Sequence, residues 1–152
     1  MITIIDFFAL FLLMLVTGVF WGPWFALSRS LSIFKAEEFI KIAKTMSANL
    51  GLPMRFLLPS CIIVMLLAVA VYPHKYTLGF YAGIAAVLFI IVSLIITIAV
   101  EVPIVKSIEQ WTIATMPPNW ASIRIRWVKF HVFRTMASLA SFACLVVAIL
   151  AR

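Results

Sequence analysis

Residues 78–100 read LGFYAGIAAVLFIIVSLIITIAV, a run without one charged side chain. A helix needs about 20 apolar residues to cross a hydrocarbon core of ~30 Å, and this stretch is long enough. Three more runs of that kind lie at 2–27, 52–72 and 131–151. Of the 152 residues, 66% are hydrophobic and 11% charged, a composition far from that of soluble domains. The runs are too long and too unbroken for barrel strands, and no in-out alternation appears. The expected fold class is therefore all-α: a polytopic membrane protein with four transmembrane helices in a bundle.

The first run has no basic start, is longer than the apolar part of a secretion signal, and continues into Trp21, Pro23 and Trp24 without a small-residue cleavage site. It is expected to be retained. With no linker, internal repeat or low-complexity segment, residues 1–152 read as a single domain.

Cytoplasmic loops keep lysine and arginine, and outer loops avoid them. The first connection and its flanks hold Arg29, Lys35, Lys41, Lys44 and Arg55; the third holds Lys106, Arg124, Arg126, Lys129 and Arg134. The short second connection has only Lys75, beside His74. The expected location is the inner or plasma membrane, with both termini outside and the two long connections inside. That topology, together with contact to anionic lipid headgroups, accounts for the net charge of +7. No nucleic-acid partner is expected.

Cys61 and Cys144 fall inside apolar helices at different depths, so no disulfide between them is expected. No cysteine-histidine spacing suggests a metal, and His74 lies on the opposite side from His131.

The long connections have helical character. Phe39, Ile42, Ala43, Met46 and Leu50 recur at helical intervals among Lys35, Glu38, Lys41 and Lys44, as in an amphipathic helix lying on the cytoplasmic membrane face. After Glu101, Pro103 suits a new turn or a kink, and Ile104, Ile108 and Trp111 form an apolar stripe. Pro117 and Pro118 are expected to stop that helix. Asn119 is placed to cap the next, which is expected to run unbroken into the fourth span.

At 100° per residue, Arg124, Trp127, His131, Arg134 and Ser138 share one sector of the last helix. Thr97 and Glu101 share a face of the third helix, and Thr17, Trp21, Trp24 and Ser28 share one of the first. Counting inward from the outer helix ends puts Trp24, Glu101 and His131 at similar depth, with Arg55 and Arg134 within a turn. Ionisable groups at that depth point inward and pair, which makes Glu101 with Arg134 or Arg55 the expected pair. The plain role of such a pair is to lock two helices. The chemical role gives His131, Glu101 and Arg134 proton transfer and oxyanion stabilisation, with Trp24, Arg55, Arg124 and Trp127 as binding residues.

The stretches EVPIVKSIEQWT (101–112), PPNW (117–120) and RIRWVKFHVFRT (124–135) resemble the signature of the small four-helix membrane family that includes the anthrone oxygenases. The residues carrying the likeness are Glu101, Pro103, Ile104, Trp111, Pro118, Trp120, Arg124, Arg126, Trp127, His131, Arg134 and Thr135. The resemblance implies a four-helix bundle that oxidises polycyclic phenolic substrates with oxygen and needs no metal or flavin cofactor. His131 or Glu101 would deprotonate the substrate, Arg134 would hold the enolate with Arg124 or Arg55, and Trp24 and Trp127 would wall a flat aromatic ligand. The alternative from another class is a non-catalytic lipid- or quinone-binding protein, or a small subunit of a membrane complex. Membrane lipid is the expected partner, and Gly79 with Gly83 leaves close helix contact within the bundle or in a homo-oligomer open.

Overall fold

The computed structural model describes residues 4–152, so the first two residues of the expected first span lie outside it. Helix α1 is Ile4–Ala26, followed by a 3₁₀ turn at Ser28–Ile33. Helix α2 is Ala36–Ala70 and α3 is Leu78–Ile96. A π-helical segment at Thr97–Glu101 leads into α4, Val102–Glu109, and α5 is Trp120–Leu150. Four helical stretches are long and apolar enough to cross a membrane, and no more than a third of the most apolar window of each is buried inside the bundle. The apolar side chains turned outward, among them Phe7, Phe11, Ile63, Leu66 and Leu88, suit a hydrocarbon solvent.

The helices close into a ring: α1 packs on α2 and α5, and α3 packs on α5 and α2. Both described ends, α1 and α5, begin or finish at the same face, here termed the terminal end. The connections 27–35 and 110–119 form the opposite, basic end. Two apolar clusters fill the ring. One, toward the terminal end, gathers Leu13, Val16, Phe20, Leu58, Cys61, Met65 and Ile90. The other, at the basic end, gathers Leu31, Phe39, Ile40, Ile108, Trp111 and Trp127. Along α5 a polar belt separates them: His131, Thr135, Ser138 and Ser141 are all buried.

That belt joins α5 to α3. Ser141 Oγ donates to the Ala86 carbonyl at 2.7 Å, and Ser93 Oγ to the Arg134 carbonyl at 2.9 Å. Small hydroxyl residues allow backbones to approach closely where lipid offers no alternative partner. Gly79 and Gly83 serve the same closeness within the bundle. A Cβ at Gly83 would meet Val69 and Ala148, and one at Gly79 would overlap the Tyr72 hydroxyl. That hydroxyl donates to the Ala148 carbonyl at 2.8 Å. Beside it Asp6 of α1 pairs with Arg152, whose guanidinium also donates to the Val71 carbonyl at 3.2 Å and lies over the Tyr72 ring. The terminal end is thus clasped by residues from both ends of the described chain and the turn between α2 and α3.

Three expectations about the connections need correction. Residues 36–50 do not form a separate helix lying on the membrane. They are the first half of the 35-residue α2, which at 1.5 Å per residue is about 52 Å long and exceeds the hydrocarbon thickness. Pro53 and Pro59 sit inside it without ending it, each removing only one backbone donor. The apolar face formed by Phe39, Ile40 and Ala43 packs against Ile108, Trp111 and Trp127, where a membrane surface had been expected. Polar bonds hold it there: Lys44 Nζ donates to the Trp111 carbonyl at 2.8 Å, and Ser47 Oγ to Glu109 at 2.5 Å. Second, α4 ends at Glu109, well before Pro117 and Pro118, in a turn where Thr112 and Thr115 exchange hydrogen bonds. Third, Asn119 precedes α5 but its side chain makes no capping bond; its carbonyl accepts from Ser122 and Ile123. The expectation that α5 runs unbroken from the basic end into the fourth span agrees with its extent, Trp120–Leu150.

Candidate functional site

The π-helical segment is where the sequence shapes the site. Pro103 has no N–H to give the Ala99 carbonyl, and its ring crowds that carbonyl in a regular α-helix. The chain relieves this by widening one turn, so that Val102 N–H bonds the Thr97 carbonyl five residues back. Glu101, the last residue of the widened turn, is buried at 2% exposure.

Arg134 of α5 meets it there. Its Nη2 lies 3.2 Å from Glu101 Oε2, which forms the expected pair, with Arg134 as the partner. Arg134 Nη1 donates to Thr97 Oγ1 at 3.4 Å, and the guanidinium stacks 4.7 Å from the Phe20 ring centroid. Its Nε and Nη2 lie 3.1 and 2.8 Å from His131 Nδ1. His131 is 4% exposed, and its Nε2 has no hydrogen-bond partner within the protein, although the Phe20 carbonyl lies near the ring. The Trp127 indole N–H faces the Glu101 carboxylate without closing a geometric hydrogen bond. Thr17 Oγ1 on α1 is likewise buried and unpartnered. Buried polar atoms without partners are costly, so the group formed by Glu101, Trp127 and His131 marks a place where a further polar group can bind.

Of the residues expected at a site, Glu101, His131, Arg134 and Trp127 come together. The others do not join them. Arg124 lies toward the basic end, over the Trp120 ring at 4.8 Å and donating to the Phe34 carbonyl at 3.1 Å. Arg55 is exposed on α2, one turn before buried Leu58. Trp24 is half-buried in an aromatic stack with Trp21 and Phe25 on α1. Phe20 and Ser93 were not read from the sequence, and Thr135 was read only as part of the family signature. Ser93 lies four residues before Thr97, on the face already recognised, and Thr135 Oγ1 donates to the His131 carbonyl at 2.7 Å.

The cluster offers a carboxylate, a guanidinium, an imidazole and an indole N–H in a setting largely shielded from water. Such a set can take up a proton and hold a developing oxyanion. Among the described residues no three His, Cys, Asp or Glu side chains gather in a metal-ligand arrangement, and Cys61 and Cys144 are free thiols. Two open grooves lie near the basic end. One, of about 600 Å³, runs past Ile40, Lys41, Lys44 and Trp111; the other, of about 310 Å³, runs past Gly22, Pro23, Met46 and Asn49.

No curated protein and no solved structure matches the chain. The family of anthrone oxygenases matches it over residues 50–144, a stretch that holds Glu101, Trp127, His131 and Arg134. With well over half its length covered by that match, the chain belongs to the anthrone oxygenase family.

Proposed function

We propose that this protein is an oxygenase-like enzyme that oxidises a phenolic, anthrone-type substrate with molecular oxygen at the inner leaflet of the plasma membrane. The observation that carries the reading is the buried Glu101–Arg134–His131 cluster, lying inside the stretch that matches the family. In the reaction a base of the cluster removes a proton from the substrate methylene, and the electron pair delocalises onto the ring carbonyl oxygen. Oxygen takes one electron from this anion, the two radicals join in a C–O bond, and the peroxide is protonated. Loss of water then leaves a carbonyl, so that a CH₂ group and one O₂ become C=O and one H₂O. The protein has to stabilise the anion, since an electron-rich enolate reacts with oxygen unaided.

The substrate is proposed to reach the cluster from the smaller groove. Gly22 and Pro23, which line it, sit on the same helix as Phe20, whose ring covers Arg134. Orientation follows charge: ten of the twelve lysines and arginines lie toward the basic end, and only Lys75 and Arg152 at the other, which supports a cytoplasmic basic end and outer termini.

The test is oxygen uptake by the purified protein in lipid nanodiscs supplied with a hydroxyanthrone, against empty discs and the Glu101→Gln variant. One oxygen consumed per quinone formed, with kcat/KM falling at least about 100-fold in the variant, is the expected result. A rate no faster than that of empty discs overturns the reading. Native mass spectrometry of the same sample then decides the second reading, for which the open grooves at the cationic end speak. A retained phospholipid or quinone in an inactive protein makes it a binding protein.

A further inference from the structure

The cluster contains two candidate bases, and the geometry around His131 distinguishes them. A guanidinium has five N–H donors and no acceptor, so both of its contacts to Nδ1, at 3.1 and 2.8 Å, are donations from Arg134. Nδ1 must therefore present its lone pair. A proton there would be directed at the guanidinium hydrogens. The ring proton is left on Nε2, the buried nitrogen without a hydrogen-bond partner in the protein. A histidine held in this form has no lone pair at Nε2 to accept a substrate proton; it has an N–H to donate. The unpartnered lone pairs belong to Glu101, whose Oε1 is buried and bonded to nothing.

We infer that Arg134 is a positioning residue that fixes His131 as an Nε2–H donor, so that Glu101 takes the substrate proton and His131 holds the oxyanion that results. The tautomer stands on the contacts alone; the division of roles rests on the oxygenase reading above. In the step itself the substrate C–H bond breaks, the proton goes to a Glu101 oxygen, and the electron pair moves to the carbonyl oxygen. That oxygen then accepts the hydrogen bond from His131. Arg134 reaches both partners, with its guanidinium 3.2 Å from the Glu101 carboxylate and in contact with His131 Nδ1. The unfilled indole N–H of Trp127 faces the same carboxylate.

Nitrogen NMR on ¹⁵N-histidine-labelled protein tests the first half without any substrate. The chain has two histidines, and His131→Gln assigns the signals by loss. The expected spectrum gives His131 an unprotonated Nδ1 and a protonated Nε2, identified by the coupling of Nε2 to both ring C–H protons. Arg134→Lys, whose ammonium also only donates, should keep that pattern, and Arg134→Met should turn it into a tautomer mixture. Should the Met variant fail to fold, the wild-type spectrum still decides: Nδ1–H, or both nitrogens protonated, overturns the inference.

Turnover of a hydroxyanthrone tests the second half. Glutamine offers an amide N–H but no base, so His131→Gln should stay within about tenfold of wild type. His131→Leu should lose about 100-fold or more, the usual effect of deleting an oxyanion donor. Equal losses in the two variants would return His131 to the role of base and overturn the division. Wild-type protein without turnover removes the oxygenase reading and the division with it, while the NMR result stands by itself.

Discussion

Arg134 makes four contacts with groups that have few alternatives: Glu101, His131, Thr97 and the Phe20 face. Removing one member of a buried ion pair leaves the other charge uncompensated, which typically costs about 3–5 kcal/mol. The two partners are not equivalent. Without Glu101 the guanidinium retains its other three contacts, whereas without Arg134 the carboxylate is left with no hydrogen bond or ion pair in the protein. Arg134→Gln is therefore expected to destabilise by about 3–5 kcal/mol and Glu101→Gln by only about 1–2 kcal/mol. The double variant should cost less than the sum. A double-mutant cycle on unfolding in detergent measures this, and additivity would mean that the pair is not coupled. At this scale depth was legible in the sequence: counting residues from helix ends brought Glu101, His131 and Arg134 to one level, and they meet. Azimuth was legible only within a helix. Contacts between helices are set by packing, so Arg55, exposed on α2, was assigned to a cluster it does not join. The Asp6–Arg152 pair went unread for a similar reason, because its partners are at opposite ends of the sequence and only the ring closure makes them neighbours.

Among the elements, the π-helical segment is the one that breaks a local rule. The turn from Thr97 to Glu101 carries an extra residue relative to an α-helix, and Ala99 within it is exposed. Deleting Ala99 is expected to return the turn to α-helical register, so that α3 and α4 keep their faces while Pro103 again crowds the carbonyl four residues before it. Deleting Val92, also exposed but inside regular helix, rotates the whole preceding part of α3 by 100° and takes Gly83, Ala86 and Ile90 off their buried faces. The first variant should fold with near-normal helicity and lose about 3 kcal/mol to the restored proline clash. The second should aggregate, a loss well above about 4 kcal/mol. Circular dichroism and gel filtration compare them, and equal damage would show that the widened turn is not a removable insertion. The sequence indicated a break at Pro103 but not its form, since kink, new helix and widened turn relieve the same clash. Helix boundaries at the basic end were poorly legible because the stripe of Phe39, Ile42, Ala43 and Met46 fits a membrane surface and a neighbouring helix equally well.

For the whole molecule, four spans and an all-helical fold follow from composition and run length, and they are what the structure has. Sidedness is the property left to experiment. With Cys61 and Cys144 replaced by alanine, a single cysteine at Lys75 should react with an impermeant maleimide added to intact cells, and one at Thr115 only after the membrane is opened. The reverse pattern would invert the proposed topology and put the proposed oxidation at the outer leaflet. The clasp at the terminal end also bears on how the bundle could be rewired. Because α5 sits beside both α1 and α3, the helices form a closed cycle, with Asp6 and Arg152 in contact where it joins. A cycle has no obligatory starting point. Linking residue 152 back to the first helix and opening the chain between His74 and Lys75 yields a circular permutant that keeps every helix neighbour and both termini on the same face.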